Sequence, residues 1–214
     1  MILTTSKPTT YTPEEYLTLE VEAETRSEYR NGEIVPMTGG TPSHNQLISA
    51  LNALLWFGLR GKNYSVFMTD QRLWIPAADL YTYPDAMVIA NPLQLRAGGK
   101  DTVTNPIFLA EVLSDSTEAY DRGGKFAAYR TMRTFQEYLL LDQTQPHVEQ
   151  FVKQEAEDQW LFMDYQGRDA RLQLRSPDPA NLEVHLTSVD FRCSIALLYE
   201  DVVFPDAEDE DENA

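Results

Sequence analysis

The chain has 214 residues, 43% hydrophobic and 11% aromatic, long enough for one domain with a full apolar core. Acidic residues outnumber basic ones 34 to 17, for a net charge of -17, which argues against broad affinity for nucleic acid because such affinity depends on Lys and Arg neutralising phosphates. No apolar run has the length of a membrane span or a signal peptide, and a single cysteine, Cys193, excludes an intramolecular disulfide and a thiolate zinc site, so a soluble, cytoplasmic protein without a membrane partner is expected.

Residues 1–10, rich in Thr, Ser and Pro, read as a flexible arm. Thr12-Pro13-Glu14-Glu15 has the grammar of a helix start, and a short helix over about 12–20 follows. Asn31-Gly32 predicts a hairpin between Ser27-Glu28-Tyr29 and Glu33–Met37. Thr41-Pro42-Ser43 opens the longest amphipathic helix, with Leu47, Ile48, Leu51, Leu54, Leu55 and Leu59 at helical spacing until Gly61.

Short apolar runs separated by turns then predict strands at Tyr64–Thr69, Arg72–Ile75, Asp85–Ala90, Ile107–Leu113 and Glu137–Leu141. The last three are apolar on both parities, as in strands covered on both faces. Tyr120–Arg133 reads as a helix turning Phe126, Tyr129 and Met132 inward, which makes the strands on either side of it a crossover pair. Val148–Val152, Gln159–Tyr165 and Ala170–Leu174 suggest an antiparallel meander, followed by a short helix at Ile195–Leu198. The single domain is drawn over 11–205, with 206–214 a disordered acidic tail.

Glu111 is the residue most out of place. Strand alternation puts it on one face with Leu109 and Leu113, and a carboxylate buried there needs a cationic partner, a hydrogen-bond network or a metal ion. Asp85 follows Pro84 at the mouth of a second buried strand. Pro-Asp alone is ordinary turn chemistry, but two acids on neighbouring strands can supply hard oxygen ligands for Mg²⁺. Asp121, Lys125 and Tyr129 stand at i, i+4, i+8 on the following helix, so Lys125 either makes an exposed pair with Asp121 or points its ammonium at the mouth of the sheet.

Together, Tyr83-Pro84-Asp85, Ala110-Glu111-Val112-Leu113-Ser114, Asp121 with Lys125 and Tyr129, and Glu137–Asp142 resemble the Uma2 family of restriction-endonuclease-like proteins, common in cyanobacteria. Glu28-Tyr29-Arg30-Asn31-Gly32-Glu33-Ile34-Val35 followed by His44 is similar to the N-terminal pattern of that family, and the resemblance spans about 11–151. It implies an α/β fold of the PD-(D/E)XK type, a mixed β-sheet core flanked by helices, to which the C-terminal meander is an addition. It also implies a Mg²⁺ or Mn²⁺ ion held by Asp85 and Glu111, catalysis with Lys125 and Glu28 positioning the attacking water, and DNA as substrate. The motif departs at Leu113, where a lysine is usual, and Lys125 is the candidate substitute.

A homodimer would suit cleavage of two strands. The rival expectation is a binding or regulatory module that keeps the fold with little nuclease activity, which the acidic charge favours. His44 lies in the first turn of its helix, where the dipole disfavours an imidazolium, and a core or capping role is the plainer reading of it. No phosphate-binding glycine loop, serine-hydrolase elbow or zinc spacing is present. Trp56, Trp74 and Trp160 lack the basic surroundings of a base-stacking platform.

Overall fold

The computed structural model describes residues 10–156, 159–165 and 183–204. Residues 1–9 of the expected N-terminal arm, the acidic tail and the strand at Ala170–Leu174 lie outside these residues. Helix α1, Pro13–Glu22, starts with a capping box between Thr12 and Glu15, and packs Tyr16 against Tyr29 and Tyr81. Strands β1, Ser27–Arg30, and β2, Glu33–Pro36, form the expected hairpin. Its turn is left-handed at both residues, with φ of 48° at Asn31 and 94° at Gly32, a conformation that favours these two residue types.

Helix α2, Pro42–Leu59, is capped by Thr41, whose hydroxyl accepts from the His44 amide. Strands β3, Tyr64–Met68, β6, Ala86–Ala90, β8, Pro106–Leu113, β9, Glu137–Asp142, β10, Val148–Lys153, and β11, Trp160–Tyr165, form a six-stranded sheet in the order β11-β10-β9-β8-β6-β3. β8 and β9 pair in parallel and the other neighbours antiparallel, the mixed sheet and crossover that the sequence predicts. The start of the expected meander, β10 and β11, therefore extends the central sheet. Strands β4, Arg72–Ile75, β5, Leu80–Thr82, and β7, Thr102–Val103, join β1 and β2 in a second sheet, and β12, Glu183–Leu186, pairs with β13, Phe191–Ser194, as a C-terminal hairpin before helix α5, Ile195–Leu198. β5, β7, β12 and β13 are two to four residues long, too short to show a hydrophobic period.

The two faces of the six-stranded sheet have separate cores. Phe108, Ala110 and Val112 of β8 meet Leu47, Leu51 and Leu55 of α2, whereas Leu109 and Leu113 meet Tyr129, Phe135 and Tyr138 on the other side. Side-chain alternation thus buries β8 twice over, at roughly 1.5–3 kcal/mol for each large apolar side chain, and forces Glu111 into the second core.

The expected helix over 120–133 is present over 118–129, but it is not regular. Helix α3, Glu118–Tyr120, passes through a π-helical turn at Asp121–Lys125 into α4, Phe126–Tyr129. Gly123 and Gly124 lower the helical propensity in that turn, and the widened turn still keeps Asp121 and Lys125 side by side. Tyr129 and Met132 face inward as expected.

Glu137, read from sequence only as part of an apolar strand, is a buried clamp. Its carboxylate accepts from the amides of Thr187 and Ser188 at 3.2 and 2.9 Å, from the Ser188 hydroxyl at 2.6 Å and from the Gln150 amide, tying the loop between β12 and β13 to the sheet. Glu137→Gln turns an NH₂ group toward these donors and is expected to cost about 1–3 kcal/mol in urea denaturation. An unchanged midpoint would show that the clamp adds nothing.

Candidate active site

Pairing of Ala86 with Ala110 sets the preceding Asp85 opposite Glu111 on β8. The two are tied through the backbone: the Asp85 amide donates to Glu111 Oε2 at 3.3 Å, and Asp85 Oδ2 accepts from the Val112 amide at 2.8 Å. Both side chains line a cleft of about 510 Å³, together with Glu28, His44, Asp121 and Lys125. The four site residues proposed from sequence therefore meet in one place.

Glu111 is only 2% exposed. Its Oε1 accepts from the Tyr129 hydroxyl at 2.6 Å and lies 3.1 Å from the Lys125 ammonium. Lys125 also lies 3.1 Å from Asp121 Oδ1 and 3.7 Å from Glu28 Oε1. The exposed-pair reading of Asp121 and Lys125 is thus excluded, since both are buried. Burial works against the Lys125 charge, but attraction to Glu111, Glu28 and Asp121 wins, and its pKa rises. Glu111 goes the other way. Its burial outweighs the pull of Lys125, Asp85 and Asp121 add repulsion, and its carboxyl is pushed up to about 8. Burial thus disfavours the ionised form of Glu111, while attraction to the surrounding carboxylates favours the charged form of Lys125.

Glu28 sits on β1 facing the cleft, with Tyr29 directed into the aromatic core behind it. Its Oε1 accepts from Thr82, and its Oε2 accepts from Arg30 Nε and Nη2 at 2.8 and 2.5 Å. Burial raises its pKa, but Lys125, Thr82 and Arg30 together lower it below the usual carboxylate value. His44 departs from its expectation. It is neither the helix cap, which is Thr41, nor a core residue, because its Nε2 lies 3.4 Å from Asp85 Oδ2 at the cleft. Burial pulls its pKa down, yet contact with Asp85 raises it overall.

Arg30, Tyr120 and Thr82 were given no role by sequence reasoning. Arg30 had a legible signal, because residues i and i+2 of a strand share a face and Glu28 was already singled out. Thr82 lies on a three-residue strand and Tyr120 at the end of a short helix, and neither carries such a signal. Among the described residues no three His, Cys, Asp or Glu side chains are gathered as a metal site. No described helix is long and apolar enough to cross a membrane.

Comparison with known proteins agrees with this architecture. Residues 13–187 match the model of the Uma2 family, described as "putative restriction endonuclease". Uncharacterized protein sll1609 of Synechocystis sp. is 39% identical over 173 residues, covering 81% of this chain and 96% of the relative. A second Synechocystis relative, uncharacterized protein slr1290, is 37% identical over 164 residues, covering 77% and 84%. In three dimensions the chain is similar to a crystal structure of a "putative nuclease belonging to DUF820" from Anabaena variabilis, with a TM-score of 0.66 and 18% identity, covering 90% of this chain and 99% of that one. That likeness establishes the shared mixed α/β fold.

Proposed function

Because the chain belongs to the Uma2 family, restriction-endonuclease-like by its description, we propose that it is a divalent-metal-dependent nuclease hydrolysing phosphodiester bonds of DNA. The observation that carries this reading is the pairing of Asp85 and Glu111 at one end of two adjacent strands, with a buried ammonium 3.1 Å from Glu111 and a cleft open to substrate.

The donor set fits a hard cation. Two carboxylates held by backbone amides offer oxygen ligands, and Mg²⁺ or Mn²⁺ in such sites fills its remaining positions with water and substrate phosphate. When bound by Asp85 and Glu111, the ion supplies Lewis acidity toward a phosphoryl oxygen. The chain does the positioning. Tyr129 fixes the rotamer of Glu111, and the Val112 amide fixes that of Asp85. Lys125 places positive charge where negative charge develops on the phosphate, without having to reorganise. Glu28 holds that ammonium from the cleft side.

Asp85→Asn, nearly the same in shape, is expected to abolish cleavage of plasmid and single-stranded DNA in Mg²⁺ or Mn²⁺ and to remove metal binding in calorimetry. Cleavage by Asp85→Asn at the wild-type rate would overturn the assignment. One observation favours a binding module that does not cleave: three carboxylates already occupy Lys125. Wild-type protein that binds DNA but leaves it intact with every divalent metal would establish that reading instead.

A further inference from the structure

The geometry points to Arg30 as the group that anchors one substrate phosphate beside the Asp85–Glu111 pair. This rests on the nuclease reading and names the residue that grips the substrate.

Charge makes such a residue necessary. Glu28, Asp85, Asp115 and Asp121 line the cleft, and a polyanion approaching them is repelled. Arg30 and Lys125 are the cleft-lining side chains with a permanent positive charge. Lys125 is 7% exposed and engaged by three carboxylates, so little of it is left to grip a phosphate at the cleft surface. The Arg30 side chain is 32% exposed.

Arg30 is also fixed in place. Its Nε and Nη2 donate to the same oxygen of Glu28, and its guanidinium carbon lies 3.8 Å from the centroid of the Tyr120 ring. A guanidinium has five N–H donors, and Nη1 makes no hydrogen bond to the described residues. An arginine held by a carboxylate below and a ring face beside it has little rotamer freedom left to lose on meeting a phosphate, and its planar fork suits phosphate oxygens. The hairpin turn at Asn31-Gly32 sets this position, because Arg30 is the last residue of β1 and the turn follows it directly. Glu28 touches Arg30 on one oxygen and Lys125 on the other, linking the substrate-facing cation to the inner one.

The test measures binding of a short fluorescein-labelled single-stranded DNA to the cleavage-deficient Glu111→Gln protein across a salt series. Adding Arg30→Met is expected to weaken binding about tenfold or more and to lower the salt slope by ~0.7, the loss of one phosphate contact. Arg30→Lys keeps the slope and recovers part of the affinity. Tyr120→Leu, which leaves Glu28 untouched, weakens binding several-fold and covers the case in which Arg30→Met unfolds. Arg133→Met, an exposed arginine ahead of the opposite end of β9, is expected to change neither affinity nor slope. In the cleaving background, Arg30→Met should raise KM more than it lowers kcat. Affinity and slope unchanged by Arg30→Met, or reduced equally by Arg133→Met, overturn the anchor and leave the nuclease reading standing. If the wild-type protein neither binds nor cleaves DNA with any divalent metal, the nuclease reading and the anchor fall together.

Discussion

Lys125→Ala is expected to abolish metal-dependent cleavage and to destabilise the protein by about 3–5 kcal/mol, the usual cost of removing one partner from a buried ionic cluster. The variant leaves Glu28, Glu111 and Asp121 facing one another around the space the ammonium filled. Loss of activity in this variant alone is therefore ambiguous, because a protein near its unfolding threshold also loses activity. Lys125→Met with Glu111→Gln resolves it: the apolar stem is restored and one carboxyl is neutralised, so most of the stability should return while cleavage stays absent. Lys125→Arg should rescue poorly, because a planar fork cannot replace a compact ammonium among three carboxylates. Chemical denaturation gives the stability and plasmid cleavage the activity. A Lys125→Ala protein that cleaves at the wild-type rate would remove Lys125 from the mechanism, and one as stable as wild type would show that the cluster is not held by its ammonium.

The sequence made the two acids visible because the surrounding residues left them no ordinary place. Glu111 stands in an eight-residue strand with apolar neighbours on both faces, and a pattern this regular makes one carboxylate conspicuous. The capped ends of α2 and the Asn31-Gly32 turn were legible for a similar reason, since their chemistry is local. The helix after β8 was only half legible. Its inward residues Tyr129 and Met132 came from helical spacing, but the π-helical turn that buries Asp121 and Lys125 leaves no periodic trace within five residues. His44 shows the limit of local argument: its helix position predicts a neutral ring, and only a strand some forty residues away supplies the Asp85 carboxylate that reverses the balance. Arg30 was half legible, from its place two residues after Glu28 on one strand face, whereas Tyr120 and the free edge of its guanidinium belong to tertiary structure.

Glu111→Gln should separate function from stability, removing metal binding and cleavage while raising the melting temperature above neutral pH. The sign follows from burial. Glu111 has its pKa raised from an ordinary 4.5 to about 8, so between these values the folded state binds more protons than the unfolded chain. Its contribution to stability is present below pH 4.5 and is lost as pH rises through 8, where the folded state must hold an ionised carboxyl at a cost of a few kcal/mol. Glutamine never ionises and keeps the acceptor for the Tyr129 hydroxyl. The variant should match wild type near pH 4 and melt several degrees higher at pH 8, each pair compared at one pH so that other titrations cancel. Adding Mg²⁺ should reverse the order. A cation in excess of its dissociation constant by about 100-fold stabilises the protein that binds it by ~2.7 kcal/mol, and the wild type alone keeps both ligands. Metal uptake near neutral pH should also release a proton, because Glu111 is protonated before the ion arrives. A lower melting temperature for Glu111→Gln at pH 8 without metal would mean that the ionised carboxylate is net stabilising beside Lys125, a structural ion pair and not a strained ligand held ready for a cation.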